Sequence, residues 1–264
     1  MKKPITVCTT GLGHPEGPYE LDDGRVIYAN TYASAIGVWD PKTNQAGVYA
    51  DVGGGPNACM LGSDGYVYST QTPNVGTWVA PVHRPPSIQR SSPSGKVEIL
   101  VTEADGVKFD GPNDLTFAPD GRLWFTDSGD WAPDTKPHPG RIVVIEKNGK
   151  AHIVEELDHV YPNGIVAEAD GGIVWVESYT LNVVRRKSDG SKQVIAKMAP
   201  GHTPTASRST STAISGSRPS PRVASTSSTG PASTSISSRP AAPSSTASSA
   251  RVARCSAATW ARST

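Results

Sequence analysis

Cysteine is scarce: the 264 residues contain three, Cys8, Cys59 and Cys255. Their separations match neither a disulfide framework nor a metal-binding motif, which fits a reducing compartment. No apolar run is long enough to span a bilayer. The basic start Met1-Lys2-Lys3-Pro4 is followed over 5–13 by a stretch too polar for a signal-peptide core. A cytoplasmic location with no membrane partner is therefore expected. The formal net charge is only +1, so nothing in the bulk charge would recruit a nucleic acid. Capped, helix-period segments are also missing. Glycine and proline, by contrast, number 26 and 23, as expected of a turn-rich all-β chain.

Acidic residues and lysine disappear partway along the chain. Through about Met198 the sequence is mixed in charge and rich in Val, Ile, Leu, Trp and Tyr. From Thr205 onward there is no Asp, Glu or Lys, and the large apolar residues are reduced to Ile214, Val223, Ile236, Val252 and Trp260. Such a segment cannot bury enough surface to offset chain entropy. The expected organisation is one β unit over 1–204 and a low-complexity, disordered tail over 205–264.

Within the first unit one pattern recurs. Pro112-Asn113 opens a strand, Pro119-Asp120-Gly121 turns it, and Leu123 to Thr126 returns. The same order appears as Pro15-Glu16 with Asp23-Gly24, as Pro56-Asn57 with Asp64-Gly65, and as Pro162-Asn163 with Asp170-Gly171. A fifth opening, Thr203-Pro204, starts and is not completed. The openings lie about 40 to 56 residues apart, and a period of roughly 40–50 residues with four short strands per unit marks a β-propeller blade. Innermost strands of a propeller converge on a central channel, so Glu16, Asn57, Asn113 and Asn163 would form a ring of hard oxygen donors suited to Ca²⁺. Alternatively, each Asn caps its own turn.

These motifs resemble the regucalcin/gluconolactonase family, which includes luciferin-regenerating-enzyme-like proteins. The resemblance rests on His14-Pro15-Glu16-Gly17-Pro18, Gly111-Pro112-Asn113-Asp114, Leu123-Trp124-Phe125-Thr126-Asp127 and Tyr161-Pro162-Asn163-Gly164-Ile165, and it spans about residues 14–204. It implies a six-bladed propeller, present here as about four blades, with one divalent metal in the channel. Ca²⁺ is the first expectation, with Zn²⁺ or Mg²⁺ as alternatives. It further implies that Glu16, Asn113 and Asn163 are metal ligands, that Asn57 and Asn113 face the substrate, and that the reaction is hydrolysis of a small lactone. The catalytic Asp of the family should follow the proline of the fifth opening, where this chain has Thr205. An arginine that some relatives place two residues before the third-blade Asn is Gly111 here, which argues against an aldonolactone. A non-catalytic Ca²⁺-binding propeller, or an inactive product, is the competing reading.

The tail reads as a shifted frame. Thr is encoded by ACN, Ser by TCN and Ala by GCN. One base restored after the Pro204 codon turns these into NAC, NTC and NGC. Asp then alternates with apolar residues, and the stretch after Pro204 can be read as PDGFAFDVDGHLWVT, the recurring pattern again. A genuine low-complexity tail is the alternative, and the coding DNA across Pro204 and Thr205 decides between them. Made as written, the chain is expected to be poorly soluble or partly unfolded, because four blades leave the ring unclosed.

Three further groups are candidates. Asp127 either lines the channel or ends its strand. His14 either touches substrate or holds a turn. Trp78, His83 and Arg84 belong to an insertion that either covers the channel mouth or is a solvated loop.

Overall fold

The computed structural model describes residues 7–201 and Thr205. Blade I contains β1 (Pro15–Glu20), β2 (Val26–Asn30), β3 (Ala35–Asp40) and β4 (Gln45–Asp51). Blade II contains β5 (Gly55–Leu61) and β6 (Val67–Thr72), then a small hairpin of β7 (Asn74–Val75) and β8 (Trp78–Val79), then β9 (Ser87–Ser91) and β10 (Val97–Val101). A second small hairpin, β11 (Glu103–Ala104) with β12 (Val107–Lys108), leads to blade III. That blade contains β13 (Pro112–Phe117), β14 (Leu123–Asp127), β15 (Arg141–Ile145) and β16 (Ala151–Glu156). Blade IV contains β17 (Pro162–Ala167), β18 (Ile173–Glu177), β19 (Asn182–Arg186) and β20 (Lys192–Lys197). Each blade is a four-stranded antiparallel meander in chain order. The innermost strands stand side by side, β1 against β5, β5 against β13, and β13 against β17. All-β architecture with four blades is as the sequence pattern predicts. The reading of the tail falls outside the described residues, Thr205 excepted.

Why these segments turn where they do is visible in four copies. Gly24, Gly65, Gly121 and Gly171 all have φ between 81° and 87°, a backbone that side chains disfavour. The aspartate before each glycine accepts the backbone N–H two residues on, at Arg25, Tyr66, Arg122 and Gly172 (2.9–3.2 Å). Each Asp-Gly pair thus closes its hairpin through an Asx turn.

The middle strands of blade III, β14 and β15, are apolar on both sides because blades stack face to face. Along β14 and β15, Phe125 and Val143 pack toward blade II with Met60 and Ile88. Trp124, Ile142 and Val144 pack toward blade IV with Ile165 and Trp175. Ile27, Ala29 and Ile36 meet Cys59 and Val67 between blades I and II. Burying one such side chain is worth about 1.5–3 kcal/mol, so a continuous apolar run here reports two interfaces rather than one.

Val7 to Thr9 are not in a strand, and Cys8 and Leu12 pack beside Val26, Tyr28 and Trp39. One sequence expectation needs correcting. The cysteine separations suggested no bridge. Cys59 is a buried thiol whose Sγ lies 3.6 Å from the Gly17 carbonyl oxygen, but Cys8 is disulfide-bonded. No helix among the described residues is long and apolar enough to cross a membrane.

Candidate functional site

All four inner strands carry a register irregularity at the same place. It falls between Glu16 and Tyr19 in β1, between Pro56 and Cys59 in β5, between Pro112 and Leu115 in β13, and between Pro162 and Ile165 in β17. A bulge bends the strand and re-aims the side chain it carries. Asn57, Asn113 and Asn163 therefore sit on the local kink that frees a side chain from the pleat, and Glu16 is the paired residue immediately before the kink in β1. In β1 the kink needs Gly17, at φ 47°, where a Cβ would lie 2.5 Å from Ala58 Cα.

The openings of successive blades are tied together by hydroxyls. Thr31 Oγ1 donates to the Pro56 carbonyl at 2.8 Å. Thr70 Oγ1 donates to the Asn113 carbonyl (2.8 Å) and accepts the Ala58 N–H (2.9 Å). Thr126 Oγ1 repeats this one blade later, donating to the Asn163 carbonyl (2.8 Å) and accepting the Asp114 N–H (3.0 Å). Ser128 Oγ donates to the Pro162 carbonyl. In blades II and III a threonine thus fills the gap a bulge leaves in its own ladder and grips the next blade's opening.

Asp127 closes β14 and is fully buried. Its carboxylate accepts the N–H groups of Gly111 (2.7 Å) and Asp110 (3.1 Å) and pairs with Arg141 Nη1 at 2.8 Å. Arg141 also pairs with Asp110 at 3.0 Å. Burial pushes the Asp127 carboxyl up, against the Gly111 N–H and the Arg141 guanidinium. Of its two predicted roles the strand-ending one holds: it clamps the segment just before Asn113. The equivalent Asn30 Oδ1 accepts the Gly13 N–H at 2.9 Å. Gln71 does the same for Gly55 (2.7 Å) in the amide orientation that also meets the Gly53 carbonyl. Gly111 has no room for a side chain, because a Cβ would lie 2.8 Å from the Gly129 carbonyl oxygen.

Of the predicted residues, Asn57 and Asn113 touch, Asn57 Nδ2 donating to the Asn113 carbonyl at 3.1 Å. Asn113 Nδ2 lies 3.5 Å from the Tyr161 hydroxyl. Burial pushes the Tyr161 phenol far up; Tyr179 adds to this, the Asn113 amide opposes it, and the charges of Asp130 and Glu16 raise it further. The His14 ring, 3.4 Å from Glu16 Oε1, is pushed toward its neutral form by burial. Asn163 is buried and donates from Nδ2 to Ser178 Oγ at 3.3 Å.

One atom bears directly on a cation. Asn113 Oδ1 is buried without a hydrogen-bond partner, and an acceptor in that state is costly unless something positive meets it. An amide oxygen of this kind is a hard donor, which suits Ca²⁺ better than Zn²⁺. Among the described residues no three His, Cys, Asp or Glu side chains come together. The anionic fifth-opening residue is lacking, since that position is Thr205.

Sequence reasoning gave no role to Tyr32, Trp131, Tyr161 and Tyr179 at this end. Tyr161, with a left-handed φ of 52°, precedes Pro162 as His14, at φ 55°, precedes Pro15. Left-handed backbone at non-glycine residues costs free energy and gathers at functional sites. Their equivalent places before the two prolines were readable in the sequence; the backbone was not. Trp78 of the blade II insertion stacks on Tyr32, whereas His83 and Arg84 are exposed.

A family model described as SMP-30/Gluconolactonase/LRE-like region matches residues 14–210. No curated protein matches the chain. Among solved structures, a gluconolactonase of Xanthomonas campestris aligns with a TM-score of 0.62 at 18% identity, over 76% of this chain and 68% of that one. Regucalcin of Agrobacterium tumefaciens, described as calcium-binding, aligns with a TM-score of 0.56 at 17% identity, over 72% and 62%. A streptogramin B lyase aligns with a TM-score of 0.53 at 21% identity, over 74% and 58%. At these identities the structural likeness speaks for the fold alone.

Proposed function

The chain belongs to the SMP-30/gluconolactonase/LRE-like family, and from that premise we propose that its channel is a divalent-cation site built to bind and open a small lactone. The observation that carries this reading is the buried, unpartnered Asn113 Oδ1, on the same bulge position as Asn163 and on the strand opening that matches Glu16. Glu16, Asn113 and Asn163 would hold Ca²⁺, with Asn57 and Asn113 turned to the substrate. A bound divalent ion supplies a Lewis acid that polarises the ring carbonyl. The chain's own part is positional. The threonine ties and the Asp127 clamp hold the openings in place, which limits the reorganisation needed when charge develops. Tyr161 keeps its proton, so its hydroxyl remains a donor beside Asn113.

Thr205 favours a second reading. A threonine hydroxyl is no base at neutral pH, so a site without the aspartate would bind the cation and the lactone and stop there. Lactone opening followed by pH indicator, with and without EDTA, separates the two readings. Turnover abolished by EDTA, by Glu16→Gln and by Asn163→Ala supports hydrolysis. Cation binding with no turnover supports the binding-only propeller. Turnover that none of these changes affects refutes the site.

A further inference from the structure

The link between the second and third strands of every blade leaves the sheet at the end where the inner strand opens, because Pro15 pairs with Asn30, Pro56 with Gln71, Pro112 with Asp127 and Pro162 with Glu177. Each of these links brings an aromatic side chain to that end: Tyr32, Trp78, Trp131 and Tyr179. They collect into two groups. His14 stacks on Tyr32 at 5.0 Å and 21°, and Tyr32 meets Trp78 at 5.0 Å. On the other side Trp131, Tyr161 and Tyr179 are mutually 4.9–5.3 Å apart. Each group reaches the polar residues at one point. His14 Nε2 is 3.4 Å from Glu16 Oε1, and the Tyr161 hydroxyl is 3.5 Å from Asn113 Nδ2.

We propose that these two aromatic groups are the walls of a slot over an oxygen-donor floor, and that the slot selects lactones fused to or carrying an aromatic ring over polyhydroxylated sugar lactones. Tyr32 is 44% exposed and Trp131 39%, and Val79 and Val82 stand beside Trp78 in the same link at 65% and 51%. Large apolar surface left open around a polar floor is where a ligand with one polar end and one flat apolar body fits. A planar ring gains from offset or edge contacts with such walls. On these four side chains a sugar's several hydroxyls would find only the Tyr32 hydroxyl and the Trp131 indole N–H as partners, and unmade hydrogen bonds weaken binding. The acyl end of either ligand would face Glu16, Asn57 and Asn113, so this inference rests on the lactone-binding reading above.

The test is calorimetric titration of the full chain, in Ca²⁺, with dihydrocoumarin and with gluconolactone. Trp131→Ala, Tyr32→Ala and Trp131→Phe are titrated alongside, each first checked for an unchanged far-UV spectrum. Both positions are exposed, so folding should survive. Dihydrocoumarin is expected to bind at least about tenfold more tightly than gluconolactone, and each alanine variant to lose up to about tenfold for dihydrocoumarin alone. Trp131→Phe should recover most of that loss. Gluconolactone binding as tightly or more tightly, no dihydrocoumarin binding, or alanine variants indistinguishable from the parent would each overturn the proposal. Ring opening is read on the same samples. Dihydrocoumarin bound selectively but never opened would sink hydrolysis and leave the slot standing. Turnover without the preference would sink the slot and leave hydrolysis standing.

Discussion

Replacing Asp127 should loosen the third opening and cost the fold measurably. Its carboxylate is fully buried, takes the N–H of Gly111 at 2.7 Å and of Asp110 at 3.1 Å, and faces Arg141 at 2.8 Å. Asp127→Ala leaves two donors unmet and removes one carboxylate from a guanidinium that is 13% exposed. Breaking a buried pair by deleting one partner costs about 3–5 kcal/mol. Arg141 keeps Asp110 at 3.0 Å, and burial already opposes the Asp127 charge, so the low end, about 3 kcal/mol, is expected. For a unit of this size that lowers Tm by about 6–12 °C. Asp127→Asn keeps one acceptor for Gly111 and should cost only about 1–2 kcal/mol. Melting followed by circular dichroism measures both. Arg141→Met added to Asp127→Ala should recover part of the loss, since it removes the stranded charge. An Asp127→Ala protein melting within about 2 °C of the parent would refute the clamp.

Other consequences can be checked in the same way. Thr70→Val keeps the shape but loses a donor to the Asn113 carbonyl and an acceptor for Ala58 N–H; it should cost about 1–3 kcal/mol in urea unfolding, and a neutral result would mean the tie is incidental. Tyr28 is buried and burial raises its phenol above 10.0. The folded state therefore favours the neutral phenol, and its contribution is complete below the unfolded value and fades as pH climbs through the folded one. Tyr28→Phe should flatten part of the stability decline above about pH 10; an unchanged decline would contradict the shift.

The blades were legible because their signals are local. Asp23-Gly24, Asp64-Gly65, Asp120-Gly121 and Asp170-Gly171 each complete a turn with their own atoms, and strand-forming runs follow at a steady interval. Pro-Glu and Pro-Asn marked the openings for the same reason. What stayed hidden depends on residues far apart in the chain. Asp127 reads as a strand end until Gly111 and Arg141 are seen around it. Tyr161 reads as an apolar residue before proline until Asn113 and Tyr179 surround its ring. Trp131 reads as a loop residue, because only the pairing of Pro112 with Asp127 brings its link to the channel end.

A crystal of the full chain soaked in a Ca²⁺ surrogate with strong anomalous scattering, such as a lanthanide, tests the shared-cation site most directly. One peak is predicted, with oxygens of Glu16, Asn113 and Asn163 at about 2.3–2.6 Å from it. A peak elsewhere, or one that only a single member of the three approaches, would contradict the site.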